Sequence, residues 1–188
     1  MPRASNHIQS HRMACLIMLS LTAYMLVTCF CAASPAEISR HPEKDVEAAF
    51  IYNFTKFIKW REHKDSVVLV IGYWGTGTLL DALKMLHGKK TQGKIIHIKQ
   101  ISHYNKIDQV DVLIIENLKH IDEKIIKELA RKNILTIAEG PDAVEKGAII
   151  GLYKKYNRIR FAINLKKAKA SKLIISSRLL KLAQPVIK

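Results

Sequence analysis

The chain has 188 residues, 48% of them hydrophobic, with 31 Lys+Arg against 16 Asp+Glu and only 8 Gly and 5 Pro. That length suits one domain with a core of its own, and the apolar content excludes a disordered or collagen-like chain. Three cysteines in a chain this long exclude a disulfide-packed mini-scaffold.

Residues 1–33 carry Arg3 and Arg12 and no acid, and Met13 to Cys31 follows as 19 residues without a charge. A basic start, an apolar run and then Ala32-Ala33-Ser34-Pro35-Ala36 read as a secretory signal peptide. Cleavage after Ala33 and cleavage after Ala36 both place small residues at the required positions, and both stay open. Two other fates are weighed. The run 13–31 is long enough, at roughly 28 Å of helix, to remain as an inner-membrane anchor. Leu26-Val27-Thr28-Cys29 is a weak lipidation match, because Thr is bulky before the modified Cys. All three readings put the remaining chain on the far side of the membrane, in the periplasm.

Cys15, Cys29 and Cys31 all lie in this leader, so a chain processed after Ala33 has no cysteine and is held by its core alone. Removing Arg3 and Arg12 from the 31 bases leaves 29 against 16 acids, a net charge of +13. Export and the even spread of the lysines argue against nucleic acid as the partner. An anionic membrane face or an acidic partner fits the charge better.

From Glu43 to Trp60 the spacing predicts a helix whose apolar face is Val46, Ala49, Phe50, Phe54, Phe57 and Ile58. Val67 to Tyr73 is a near-continuous apolar run, expected as a strand buried on both faces. Thr78 to His87 reads as a short helix capped by Gly88. Lys94 to Ile101 alternates as a half-covered strand, and Val110 to Ile115 is a second buried one. Asp122 to Lys132 is amphipathic, with Ile125, Ile126 and Leu129 inward. Ile134 to Ala138 is the next strand, and Gly140-Pro141 a turn before a short helical turn at 142–146. Ala148–Tyr153 and Arg158–Asn164 are expected as a hairpin around Tyr156-Asn157. Leu165–Ala170 is a helical turn, and Ser176 or Ser177 starts a last helix through Ala183, stopped by Pro185. The expected fold is α/β: a single domain, its mixed β-sheet flanked by helices, with a C-terminal β-hairpin and a short last helix.

Catalytic signals are thin. Gly72-Tyr73-Trp74-Gly75-Thr76-Gly77 stands between a strand and a helix, where phosphate loops sit, but its spacing fits neither the dinucleotide nor the Gly-Lys-Ser/Thr pattern. A small-ligand-binding or hydrolytic protein using this turn is the alternative function. No His-Glu-x-x-His pair and no Gly-x-Ser-x-Gly elbow is present, so neither metal, cofactor nor nucleophile is expected. Asp111, Glu116, Glu139 and Asp142 lie at strand ends without a pairing that suggests turnover.

Three stretches carry a resemblance. Ala48–Trp60, then Leu135-Thr136-Ile137 with Gly140 and Gly147–Ile150, then Arg160–Leu165 with Leu173–Ala183, together resemble the periplasmic YfiR family across residues 43–184. The resemblance implies an exported regulatory protein, not an enzyme, that represses a membrane diguanylate cyclase by binding its periplasmic sensor region. Lower cyclic-di-GMP and less biofilm would follow. Other members precede signalling modules; with none before Lys188, the free-standing form is expected, and a homodimer stays open. Some relatives carry disulfides tied to redox response; this chain lacks those cysteines, which implies a redox-blind member.

Partner contact is expected from Tyr52, Asn53, Lys56 and Trp60, polar-aromatic residues beside the first helix's apolar face, since such residues anchor interfaces. The same residues would otherwise complete the core. Trp74 is either a recognition residue in its turn or a cover for the sheet edge. Asn164, Ser176 and Ser177 are either contacts or caps. A chain beginning at Ser34 is expected to show the same thermal midpoint with and without reductant. A reductant-dependent drop of several degrees in protein purified from the periplasm would show that the leader cysteines are kept and paired.

Overall fold

The computed structural model describes residues 41–60, 66–118, 123–129 and 131–187, so the leader lies outside the described residues. Helix α1 spans Pro42–Phe57, with Pro at its start, Glu43 and Asp45 in the first turn and Lys56 in the last, each matched to the helix dipole. It runs directly into strand β1 (Ile58–Trp60) rather than continuing to Trp60. Strand β2 (Val68–Trp74), helix α2 (Leu79–Lys84), β3 (Lys90–Thr91) and β4 (Lys94–Gln100) follow. A 3₁₀ segment at Tyr104–Gln109 leads to β5 (Val112–Ile115), α3 (Glu123–Leu129) and β6 (Leu135–Glu139). The chain closes with β7 (Ile150–Lys155), β8 (Arg158–Asn164), α4 (Leu165–Ala170), β9 (Leu173–Ile175), α5 (Ser177–Leu182) and β10 (Val186–Ile187).

Eight strands form one sheet in the order β10-β8-β7-β6-β5-β2-β4-β3, while β1 and β9 make a separate antiparallel pair. The five central strands, β4, β2, β5, β6 and β7, are parallel; β8 turns back along β7, and β3 along β4. The expected mixed α/β sheet is therefore present, with the hairpin around Tyr156-Asn157 as its near-terminal turn.

Why the central strands read as unbroken apolar runs is visible in β5. Val112 and Ile114 join one core cluster, and Leu113 and Ile115 join another on the opposite face. The first cluster receives α1, α2, α4 and α5; the second receives the 3₁₀ segment, α3 and the turn containing Ala143. Helices on both faces are what a parallel sheet requires. Gly72 belongs to this packing: a Cβ there would lie 2.7 Å from Val110 Cγ1. Both clusters draw only on residues 48–183, so the unit from Arg40 onward contains its own core.

Several boundaries and one face differ from the sequence expectation. On α1 the buried stripe is Glu47, Ala48, Ile51, Phe54 and Thr55, while Val46 is 46% exposed and Ala49 is also at the surface. The stripe is rotated because the aromatic contact with the sheet is made by Phe54, whose ring centroid lies 5.0 Å from Phe161 of β8. Phe50 packs beside it, 6.2 Å from Phe54 and 5.9 Å from Phe161. Ile58 leaves the helix because β1 pairs with β9, a strand the helical pattern of residues 43–60 conceals. Helix α2 ends at Lys84, short of His87, with residues 85–88 in turns that close at Gly88 in the left-handed region. After α5 the chain does not simply stop at Pro185 but adds β10 beside β8.

Phe54 is fully buried at the centre of this contact. Phe54→Ala is expected to lower unfolding free energy by about 3–5 kcal/mol in urea titrations, the range for truncating a buried aromatic. A loss below about 1 kcal/mol would mean that α1 is not anchored through this cluster.

Candidate functional site

Helix α1 runs antiparallel to the parallel strands. Its N-terminus meets their carboxyl ends through Lys44 and Glu139, and its C-terminus meets the amino ends through Trp60 and Asp111. Two candidate sites follow from this placement, one at each end.

At the amino ends, the last turn of α1, β1 and the β3–β4 turn enclose a groove of about 220 Å³. It is lined by Thr55, Lys59, Trp60, Leu69, Thr91, Gln92 and Lys94. Thr55 Oγ1 donates to Tyr52 O at 2.7 Å and shares a 3.0 Å hydrogen bond with Thr91 Oγ1 in the buried floor. Gln92, at φ 46°, donates its side-chain amide to the carbonyls of Thr55 and Ile58 and so satisfies the open end of the helix. Tyr52 donates its hydroxyl to Lys90 O at 3.0 Å, and the Lys56 ammonium stands 4.1 Å above the Tyr52 ring. Trp60 donates its indole N–H to Asp111 O at 3.3 Å. The half-buried Trp60 ring is thus a wall of the groove with its N–H turned inward, Tyr52 stands beside the groove tied to β3, and Asn53, Lys56 and Lys59 project to solvent.

The other expected contacts are distributed differently. Ser176 N–H donates to Phe57 O at 3.0 Å, which brings Ser176 and Ser177 beside the end of α1, and Arg178 stacks 6.0 Å from the Phe57 ring. Ser176 is the N-cap of α5, its hydroxyl accepting from Leu179 N–H. Asn164 is only 8% exposed; it caps α4 by accepting from Lys167 N–H at 2.9 Å and donates to Val144 O at 3.1 Å. Trp74 is half-buried against the second core cluster at the far, carboxyl end of β2. Tyr52, Asn53, Lys56, Trp60, Ser176 and Ser177 therefore gather around one end of α1; Trp74 and Asn164 do not.

At the carboxyl ends, the Gly72–Gly77 turn is occupied by the protein itself. Thr76 N–H donates to Glu116 Oε2 at 2.8 Å, and a Cβ on Gly75 or Gly77 would collide with that carboxylate. The glycines make room for Glu116, not for a phosphate. Beneath it, the Tyr73 hydroxyl is buried without a well-formed hydrogen bond. Burial, reinforced by the Glu116 and Glu139 carboxylates, raises its pKa well above the ordinary phenol range, which keeps it neutral. Beside this lies a cleft of about 330 Å³ lined by Asn117, Leu118, Glu139, Gly140, Pro141, Asp142 and Lys146. Its charges are internally matched: Lys146 pairs with Asp142, and Lys44 bridges Glu139 and Glu47 at 2.9 Å each. Among the described residues, no group of three or more His, Cys, Asp or Glu is placed to hold a metal ion.

The Lys44 bridge is absent from the sequence reading, although Glu47 at i+3 from Lys44 is its signature. Burial works against the Lys44 charge, but hydrogen bonds and charge from Glu47 and Glu139 outweigh it and raise its pKa. Glu47 is 5% exposed; burial raises its pKa, against the opposing hydrogen bond from Lys44.

A family model described as YfiR/HmsC-like matches residues 44–184. Comparison with curated protein sequences finds no match. Among solved structures, a conserved domain protein from Vibrio cholerae O1 biovar El Tor is 14% identical with a TM-score of 0.51, over 76% of this chain and 60% of that one. An ABC domain in complex with L-Trp from Streptococcus pneumonia is 12% identical with a TM-score of 0.48, over 77% and 60%. The chain thus spans about 60% of the length of these structures, and the likeness to the first concerns the fold.

Glu47 sets a pH dependence. Because its folded pKa lies above the unfolded value, its contribution to stability is fully present below the unfolded pKa and is lost as pH rises through the folded one. Lys44→Met removes the partner that opposes this shift. The variant is expected to lose about 1–3 kcal/mol near neutral pH and to recover much of it toward pH ~4, with Glu47→Gln added to it flattening the dependence. Denaturation midpoints measured from pH ~4 to ~7.5 check this; a loss independent of pH would contradict it.

Proposed function

Since this chain belongs to the YfiR/HmsC-like family, whose members are periplasmic regulators, we propose that it is an exported binding protein that represses a membrane diguanylate cyclase. It would act by engaging the cyclase's periplasmic region, lowering cyclic-di-GMP and biofilm formation. The observation that carries this reading is the extent of the match, 44–184, which runs from the first turn of α1 through α5. The signal-like sequence of residues 1–36 supports export.

The face proposed for the cyclase is the amino-end groove. Trp60 forms a wall of the groove and Tyr52 stands beside it, each held by its own hydrogen bond, and rigid aromatics lose little entropy on binding. Asn53, Lys56 and Lys59 offer polar and cationic contacts at its rim, suited to an acidic partner surface. The alternative use of the Gly72–Gly77 turn for ligand or hydrolysis has less support, because Glu116 fills that turn.

Replacing Lys56 and Lys59 by Glu reverses the charge of the rim without touching the buried stripe of α1. In a strain with the intact cognate cyclase, deletion of the gene is expected to raise cyclic-di-GMP several-fold. Wild-type complementation should restore the low level, and Lys56→Glu/Lys59→Glu should fail to do so at equal protein abundance. Unchanged cyclic-di-GMP on deletion contradicts repression; full complementation by the double variant moves the contact face elsewhere.

A further inference from the structure

The β7–β8 hairpin ends in a two-residue turn, Tyr156-Asn157, closed by the Lys155–Arg158 pair, with φ of 50° and 56° at its two central positions. Asn suits the left-handed region; a bulky aromatic does not, and the usual residues at the first position are Asn, Asp or Gly. Tyr156 is nevertheless there, and at 88% exposed it is the most exposed of the large hydrophobic side chains described. Folding gives no account of it, because its ring covers no core.

Its surroundings are cationic. Residues 150–164 contain Lys154, Lys155, Arg158 and Arg160 and no acid. Lys154 is paired with Glu43 of α1. Lys155, Arg158 and Arg160 pair with no carboxylate among the described residues, and the Lys155 ammonium lies 5.5 Å from the Tyr156 ring. The Lys154–Glu43 pair also ties the tip to the start of α1. An exposed tyrosine flanked by cations matches the interface of a bilayer: the ring sits among headgroups and the charges meet lipid phosphates.

From this juxtaposition we infer that the β7–β8 tip is a docking point for an anionic phospholipid surface. It lies at the opposite end of α1 from the groove, so docking would point the groove away from the bilayer. The inference rests on the exported reading only for which membrane is met, and vesicle binding needs no cyclase, so either can fail alone.

The test uses the chain beginning at Ser34 with vesicles of phosphatidylcholine alone or with about one-third phosphatidylglycerol. Sedimentation is expected to show binding to the anionic vesicles that falls with added salt, as exposed charge contacts do. Lys155→Ala/Arg158→Ala should weaken the partition on the order of tenfold, since each cation near such a surface contributes substantially. Lys166→Ala/Lys169→Ala on α4 removes the same charge from the other end of the sheet and should change it less than twofold. Tyr156→Asn supplies the residue the turn prefers; it should raise the thermal midpoint while weakening binding. Tyr156→Trp should add a blue-shifted emission component over wild type with anionic vesicles. Equal losses from the two double-alanine variants would reduce the effect to net charge and overturn the inference. So would an unshifted emission from the Tyr156→Trp variant, or binding to an acidic protein surface in the absence of any binding to vesicles.

Discussion

The seating of α1 on the sheet is the contact on which the rest of the molecule depends. Ile51, Phe54 and Ile58 are fully buried, and Phe54 meets Phe161 edge-on, joining the first helix to β8 across more than a hundred residues of chain. Such a contact is non-local, so it forms only once the sheet is assembled. Polar bonds then fix its two ends: Lys44 with Glu47 and Glu139 at the start, Gln92 and Thr91 with the last turn at the finish. Lys44 reaches Glu47 and Glu139 together only in this rotation of the helix, so the bridge is tied to the way α1 is seated.

Legibility in the sequence follows the strength of the local pattern. Val112–Ile115 and Leu135–Glu139 are readable as buried strands because both faces are covered, and the Tyr156-Asn157 turn because apolar runs flank it. The rotation of α1 is not. Phe50 and Phe57 draw the predicted face toward themselves, yet they are only partly buried, while Glu47 and Thr55 are inside because specific partners await them. Periodicity counts apolar residues; it does not know that a lysine three positions away and a threonine 36 positions away will satisfy two buried polar groups. Strand β1 escapes for a related reason, since its pairing partner β9 lies over a hundred residues downstream.

The candidate site is partly legible as well. Tyr52, Lys56 and Trp60 are grouped by sequence on one helix; that Ser176 joins them at its end is visible only in the fold. What residue types alone do not convey is that the polar atoms of Tyr52 and Trp60 are used up on backbone carbonyls, leaving the lysines to face solvent. Asn164 is visible in sequence as either cap or contact, and its burial places it among the caps. Glu116 in the glycine turn is the least expected feature: an internal carboxylate stands where an α/β fold commonly receives an anionic ligand.

With the groove at one end of α1 and the basic tip at the other, the helix is a spacer of roughly 24 Å between two surfaces of different chemistry. The proposed regulator would use one to hold a protein and the other to meet lipid. Site-specific photo-crosslinking from position 56 in living cells, with the captured protein identified by mass spectrometry, tests this account most directly. It predicts a crosslink to the periplasmic region of a membrane protein that carries a cyclase domain, lost when the crosslinker is moved to position 166 on α4. Crosslinks from position 56 only to soluble envelope proteins, or equally from both positions, would contradict it.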